Sequence, residues 1–219
     1  MLLTGCAPSR RSVVGAPSPV WPLETRFGGR GSDITRQPAP PAADQFAGAT
    51  QVMPRSAWTT DRPRVALANR MGRIERITIH HDAMDAAGFR SASDAKRRLS
   101  DIHRIHTDNN GWADIGYHYA IDPMGNIWSA RPVNLQGAHV RDWNEHNLGI
   151  MLMGNFMYEQ PTPRALASLQ SLVQSESARY RVSAARVGTH RELGNTACPG
   201  DRLQAEIDGA RARRVRGFA

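Results

Sequence analysis

The sequence predicts an α/β (α+β) protein in which a central mixed β-sheet is flanked by helices. Two observations support this: short segments are apolar in the manner of strands, and longer ones place apolar residues three and four apart, as amphipathic helices do. Their order is strand, helix, three strands, helix, strand, helix. Such an order packs helices against a shared sheet. The 219 residues can bury one ample core, and no internal repeat suggests an array.

The first strand and the first helix are predicted next to each other. In RITIHHDA, Ile77 and Ile79 alternate with more polar residues, and the alternation ends at His80 and His81. The helix is predicted in SASDAKRRLSDIHRIHTDNNGW, with Ser91 or Ser93 as cap and a stop at Asn109–Gly111. The residues at helical spacing are Ala95, Leu99, Ile102 and His106.

The remaining elements follow in order. GYHYAIDPMGNIWSARP predicts two strands around a turn at Pro123–Asn126, and NLGIMLMGNF is a continuous apolar run typical of a central strand. TPRALASLQSLVQSESARY predicts a helix with Thr162 as N-cap and Pro163 in the first position. Its apolar face comprises Leu166, Leu169, Val173 and Tyr180. The strand RVGTH follows, and a last helix begins after Pro199.

The charge of the chain narrows the choice of partner. The formal net charge of +8 comes mostly from arginine, with concentrations near residues 10–11, 96–98 and 211–216. This charge suits nucleic acid, a lipid surface or a charged cell-wall polymer. We expect no nucleic-acid partner, because the sequence has neither an aromatic–basic platform nor a helix-turn-helix signature.

The N-terminal region differs in composition from the rest. MLLTGC matches the end of a lipoprotein signal, but the preceding apolar segment falls short of roughly 7–15 residues. Either the signal is truncated and Cys6 carries a lipid anchor, or the match is due to chance. Residues up to about 48 are rich in Pro, Gly and Arg and predict a disordered tether. We do not expect a disulfide, since Cys6 and Cys198 lie in unlike contexts. No segment approaches the about 18 apolar residues of a membrane span.

A loop near the C-terminus carries two candidate metal ligands. In GTHRELGNTACPGD, His190 and Cys198 lie close together between Gly and Pro residues, a pattern typical of zinc ligands. The alternative for Cys198 is a buried structural thiol. A third ligand would be His80 or His81, and only one of them should reach the metal, because adjacent strand residues face opposite ways. Three protein ligands leave one position for water, as in a catalytic site with one Zn²⁺.

From about Pro54 to Leu203 the chain resembles the zinc N-acetylmuramoyl-L-alanine amidases, which include phage-lysozyme-type amidases and peptidoglycan recognition proteins. The matching segments are PRSAW, ITIHHDA, GWADIGYHYAID, GNIWSARP, GAHV, NLGIMLMGNF and THRELGNTACPGD, in the family's order. The resemblance implies the fold of these proteins and zinc-dependent hydrolysis of the bond between N-acetylmuramic acid and L-alanine. We therefore expect a peptidoglycan or muropeptide substrate, a location outside the cytoplasm in the cell envelope or periplasm, and a monomer.

The resemblance also implies roles for individual residues. His80 matches the first zinc ligand, His190 the second and Cys198 the third. Tyr117 matches the catalytic tyrosine, and Thr196 is expected to donate a hydrogen bond to the developing oxyanion.

Three further residues are expected to contact the substrate, and one position departs from part of the family. His139 matches a residue that lines the peptide groove, and Trp112 and Asn155 are the other candidates. Met151, in GIMLMG, stands where intracellular amidases carry a Glu general base in GIELEG. This makes the wall-facing branch the closer relative, and leaves Tyr117 or the hydroxide on zinc as the proton acceptor.

The sequence allows one rival function and several structural interpretations. A module that binds peptidoglycan without cleaving it would have lost the cysteine or the tyrosine, and this chain has both.

Other aromatic residues are expected to have structural roles. We expect Trp58, Trp128 and Trp143 to pack in the core or at its rim. Among the other histidines, His103 is expected to be solvated, His106 half-buried, His118 hydrogen-bonded within the fold, and His146 solvated beside Glu145. The predicted domain spans residues 49–208 and is followed by a solvated basic tail, 209–219.

Overall fold

A computed structural model describes residues 51–218 of the protein. The predicted tether, residues 1–48, and the predicted lipid anchor at Cys6 lie outside these residues. Within residues 51–218, no helix combines the length and the apolar character needed to cross a membrane.

The core of the fold is a six-stranded mixed sheet. Its strands are β1 Val52–Met53, β2 Arg76–His81, β3 Tyr119–Ile121, β4 Ile127–Ser129, β5 Asn147–Leu152 and β6 Val187–Thr189. Their order across the sheet is β1-β4-β3-β5-β2-β6. The pair β3–β4 is antiparallel, and the other neighbouring strands are parallel. The predicted fold class and order of elements are confirmed, and β1 is an additional short edge strand.

Three α-helices cover the sheet, and local sequence signals explain where two of them begin. They are α1 Ala92–Arg104, α2 Pro163–Tyr180 and α3 Asp201–Ala212. At α1, the Asp94 carboxylate accepts a hydrogen bond from the Ser91 N–H at 2.9 Å. At α2, Thr162 Oγ1 accepts one from the Ala165 N–H at 3.1 Å. Ser91, one of the two predicted caps, is therefore the N-cap of α1 and has its own amide satisfied by Asp94, whereas the N-cap Thr162 satisfies an amide that the first turn of α2 leaves free.

The two faces of the sheet bury different clusters. Ile77, Ile79 and Ile150 face α2 and α3, whereas Met151 lies in the second cluster, with Leu99 of α1. The strand β5 is therefore buried on both faces, as its continuous apolar run predicts. In the register of β2 with β5, His80 pairs with Met151. His80 thus lies on the α1 side of the sheet.

The predicted tail, residues 209–219, is not solvated as a whole, so that prediction is wrong. Helix α3 continues to Ala212, and the chain then turns back over the core. Phe218 is only 6% exposed, and Val215 packs against the same cluster. These apolar residues among the arginines give the segment a face to bury, so the folded domain extends to at least residue 218.

Candidate metal centre

Three candidate ligands converge at the carboxyl ends of two neighbouring parallel strands. His80 lies near the end of β2, His190 directly follows β6, and Cys198 comes from the loop before α3. Their ligand atoms all lie within 4.8 Å of one another. Cys198 Sγ is 3.6 Å from His80 Nδ1, and the rings of His80 and His190 are 4.8 Å apart between centroids.

A chain of hydrogen bonds determines which nitrogen of His80 faces the thiol. His139 Nε2 is 3.1 Å from the carbonyl oxygen of Asn147, which can only accept, so this nitrogen carries a proton. In the neutral ring, His139 Nδ1 must then accept, and it lies 3.0 Å from His80 Nε2. His80 Nε2 therefore donates, and the lone pair on Nδ1 is left toward Cys198. A metal-binding histidine is commonly oriented by a second hydrogen bond of this kind.

The protonation states of the three groups fit a metal site. Burial lowers the pKa of His80 well below its usual value, as do the neighbouring His139 and His190. Burial also lowers the pKa of His190, to about 4. Both rings are thus neutral and can act as ligands at neutral pH. Burial raises the pKa of the Cys198 thiol to about 12, and a divalent cation would offset this by stabilising the thiolate. Two imidazoles and one sulfur are a donor set that suits Zn²⁺.

His81, the alternative third ligand, faces away from this cluster. Its Nδ1 accepts a hydrogen bond from the Phe156 N–H at 3.4 Å, and its ring stacks on that of Phe156 at 6.1 Å between centroids. Its backbone N–H points to Cys198 Sγ at 3.4 Å. His81 therefore contributes its amide, and not its ring, to the surroundings of the thiol.

Tyr117 and Thr196 lie beside the three candidate ligands. The Tyr117 ring is half-buried, with its centroid 5.2 Å from that of His80. Burial raises its pKa, so its hydroxyl is protonated and can donate a hydrogen bond. Thr196 Oγ1 accepts from the Cys198 N–H at 3.2 Å, which leaves the hydroxyl proton available for another acceptor.

Two of the three predicted substrate contacts are buried in this structure. His139 is 4% exposed beneath His80, and Trp112 is 5% exposed with its ring tilted against that of His106, 4.6 Å away between centroids. Both contacts stay predictions, and each would require the buried side chain to become accessible to the substrate. Asn155 is half-buried, and its Oδ1 accepts a hydrogen bond from the Met157 N–H at 3.3 Å.

The remaining histidines divide into structural and half-exposed groups. The prediction that His103 is solvated is wrong: it is 8% exposed, and its Nε2 lies 3.1 Å from the carboxylate of the fully buried Asp114. His106 is half-buried, and His118 is buried with hydrogen bonds to the backbone, as predicted. His146 is half-exposed, and its Nδ1 is 2.6 Å from a backbone carbonyl.

Sequence reasoning missed an ion pair next to the candidate ligands. Asp82 follows His81, and its buried carboxylate accepts hydrogen bonds from the N–H groups of Gly154 at 2.8 Å and Met84 at 3.2 Å. Its other oxygen pairs with Arg98 of α1 at 3.1 Å. The pair joins the end of β2 to α1 and to the loop after β5. Only the acidic residue directly after HH hinted at it, since nothing in the spacing relates Asp82 to Arg98.

Comparison with known proteins agrees with this geometry. A family model described as N-acetylmuramoyl-L-alanine amidase matches residues 70–201. Peptidoglycan-recognition protein SC2 of Drosophila melanogaster is 31% identical over 159 residues, which cover 71% of this chain and 84% of that protein. The N-acetylmuramoyl-L-alanine amidase of Sus scrofa is 28% identical over 189 residues, covering 83% of this chain and 31% of that protein.

A solved structure shows the same fold. A tyrosine-to-phenylalanine variant of Drosophila PGRP-LB, in complex with tracheal cytotoxin, superposes with a TM-score of 0.65 at 30% identity. The superposition covers 72% of this chain and 92% of that chain.

Proposed function

Since the chain belongs to the N-acetylmuramoyl-L-alanine amidase family, we propose that it is a zinc-dependent enzyme which hydrolyses the amide bond between N-acetylmuramic acid and L-alanine of peptidoglycan stem peptides. The observation that carries the proposal is the convergence of His80, His190 and Cys198, with Tyr117 beside them. The opening MLLTGC and the nature of the substrate support a location outside the cytoplasm.

The hydrogen bonds of the candidate ligands indicate through which atom each would bind the ion. His80 would bind through Nδ1, because its Nε2 donates to His139. Cys198 would bind as the thiolate, with the His81 N–H directed at its sulfur. When bound, Zn²⁺ supplies Lewis-acid chemistry: it polarises an amide carbonyl and makes a water molecule more acidic.

Tyr117 and Thr196 supply the hydrogen-bond donors of the proposed reaction. A tyrosine hydroxyl is protonated at neutral pH, and burial makes Tyr117 still harder to deprotonate, so we assign it as a donor rather than a base. Thr196 already accepts from the Cys198 N–H and can turn its own proton toward the substrate oxygen. Donors placed where negative charge develops are worth most in a site that excludes water.

No carboxylate stands at the strand position where intracellular amidases carry a Glu general base. Met151 occupies that position, is fully buried, and packs in the cluster on the α1 face. Asp82 is the acidic residue next to the candidate ligands, and its carboxylate already pairs with Arg98 and accepts hydrogen bonds from two backbone amides. We therefore assign no side chain as the proton acceptor. The proton that the attacking water gives up would pass to the surrounding solvent, and the leaving amine nitrogen would take up a proton from solvent as the C–N bond breaks.

A binding module without hydrolytic activity is the second candidate function. Its support is that a curated relative carries the name peptidoglycan-recognition protein and that a related structure holds tracheal cytotoxin. Such a function would need a peptide-binding groove beside the candidate ligands, but it would need neither the Tyr117 hydroxyl nor the metal.

Digestion of defined muropeptides and purified sacculi separates these functions. The full chain should release stem peptides with a free N-terminal L-alanine, detected by mass spectrometry. A chelator should abolish the release, and added Zn²⁺ should restore it. Tyr117→Phe should lower kcat about 100-fold or more, which is the usual effect of removing one oxyanion donor. Cys198→Ser should lose both zinc and activity.

The matched control is His146→Gln, which changes a half-exposed histidine that is not among the candidate ligands. It should leave the rate unchanged. Binding of muropeptides by the wild-type chain, without any product in the presence of Zn²⁺, would instead favour the binding module.

A further inference from the structure

A groove runs along the outer edge of the sheet, where β6 has no neighbouring strand. It encloses about 440 Å³, and none of the three candidate zinc ligands lines it. Its walls are largely apolar, with Val187, Leu193 and Phe218 among them. Two arginines, Arg76 and Arg211, also line it. Glu192 lines the groove as well, so the groove combines an apolar floor with both cationic and anionic side chains.

The two arginines in the groove differ in how their charge is balanced. Arg211 is neutralised by Glu192, at 2.7 and 3.0 Å, and by Asp208, at 3.2 Å. The Arg76 guanidinium instead lies over the ring of Trp143, 5.1 Å from its centroid. Within residues 51–218, no carboxylate forms an ion pair with Arg76. Arg76 therefore presents a positioned but uncompensated charge.

A second arginine lies close to Arg76, and further arginines lie on the segment that leads to Phe218. Exposed Arg186, immediately before β6, is close enough to lower the pKa of Arg76, although burial has the larger effect. Between Arg211 and Phe218, which both line the groove, the chain carries the exposed residues Arg213, Arg214 and Arg216. None of these four has a carboxylate partner within the described part of the chain. We call this set of five arginines, with Trp143, the basic edge.

The basic edge has the features of a site for an extended polyanion. Trp143 is 46% exposed, so part of its ring remains accessible beside the Arg76 guanidinium. Stacking on an aromatic ring holds a guanidinium in place and so lowers the entropy cost of using it. The planar fork of arginine matches phosphate oxygens in pairs. Neighbouring arginines of like charge, such as Arg76 and Arg186, favour an anionic ligand that bridges them.

We propose that the basic edge is an accessory binding site for a phosphate-bearing polymer of the cell envelope, with sugar or polyol units between its phosphates. The phosphates would pair with Arg76, Arg186 and the arginines that precede Phe218. The sugar or polyol carbons would contact Trp143 and the apolar floor. Such a site holds the protein on the wall and raises the local concentration of stem peptides at the metal centre. It does not depend on the chemistry of that centre.

A binding experiment with a charge-matched control tests the proposal. The full chain is titrated with a fluorescent glycerol-phosphate polymer at 150 mM salt, and with polygalacturonate and a DNA duplex at equal charge concentration. The test variant is Arg76→Gln with Arg186→Gln. The control is Arg97→Gln with Arg104→Gln on α1, whose side chains are 71% and 67% exposed. Both variants lose the same charge.

The wild-type chain should prefer the glycerol-phosphate polymer, and the test variant should bind it about tenfold more weakly or worse, whereas the control should not. Trp143→Ala, which keeps all five arginines, should also weaken binding. Equal weakening by the control, or binding of DNA or polygalacturonate as tight as that of the phosphate polymer, would overturn the proposal. Thermal melts show whether each variant is folded.

Activity on two substrates separates this proposal from the amidase proposal. The test variant should cleave small soluble muropeptides at the wild-type rate and should cleave more slowly only walls that retain the phosphate polymer. An inactive wild-type chain that binds the polymer would refute the amidase proposal alone. An active chain that does not bind the polymer would refute the accessory site alone.

Discussion

Replacement of His139 tests whether this buried histidine controls the metal affinity of His80. In His139→Leu, His80 Nε2 loses the acceptor that lies 3.0 Å away, and the Asn147 carbonyl loses its donor. An unsatisfied buried donor costs about 1–3 kcal/mol, and His80 can avoid this cost by turning or by changing tautomer. Either response moves the lone pair of Nδ1 away from the metal position.

The expected loss of zinc affinity is about 10- to 100-fold, which corresponds to about 1.4–2.7 kcal/mol. The variant His139→Gln keeps an acceptor oxygen and should lose less. The matched control is His118→Leu, since His118 is also fully buried with two hydrogen bonds, but both are to the backbone of Leu135 and Gly149. It should lower stability without a comparable loss of zinc affinity.

Zinc affinity is measured by competition with a chromophoric chelator, and stability by thermal melting with and without the metal. Ligand binding stabilises the folded state by RT ln(1 + [L]/Kd). Because His139→Leu should bind zinc more weakly, it should also show a smaller zinc-induced rise in Tm. Wild-type zinc affinity in His139→Leu, or an equal loss in His118→Leu, would refute the role assigned to His139.

Two further predictions concern stability. Phe218→Ala should lower the free energy of unfolding by about 3 kcal/mol, because it opens a cavity in the core. The control, Arg216→Ala, changes an exposed side chain and should have almost no effect in the same thermal melts. Equal melting temperatures for both variants would show that the segment is not packed. Burial raises the pKa of Glu176, so the folded protein retains this proton to higher pH than the unfolded chain, and stability falls as the pH rises from the unfolded pKa through the higher folded one. The neutral Glu176→Gln should therefore gain stability relative to the wild type as the pH rises above the ordinary pKa of a glutamate, as measured by urea unfolding over a series of pH values. A constant difference between the two proteins would contradict this assignment.

Much of the fold could be predicted because its signals are local. Thr162 and Pro163 mark the start of α2, and the alternation around Ile77 marks β2, since both depend on backbone preferences and on neighbours within a few residues. The short strand β1, Val52–Met53, has too few residues for a periodic signal and was missed.

The candidate ligands could be predicted for a different reason. Spacing alone related His190 to Cys198 and left His80 and His81 as alternatives. The resemblance to a family favoured His80, and the structure brings His80 to the other two while His81 packs on Phe156. The contacts that support the site, between His139 and His80 and between Asp82 and Arg98, could not be predicted from spacing, because the paired residues are far apart in the sequence.

The sequence by itself determined the periodic elements, the caps of the helices and the family, because each of these depends on residue order over short segments or on ordered motifs. Only the tertiary structure decided that His139 lies beneath His80, that Asp82 pairs with Arg98 and that Phe218 returns to the core. His80 and His139 are 59 positions apart, and no local preference encodes their contact. Such contacts arise when the sheet aligns its strands and excludes water, because a buried donor is then stable mainly where packing places an acceptor beside it.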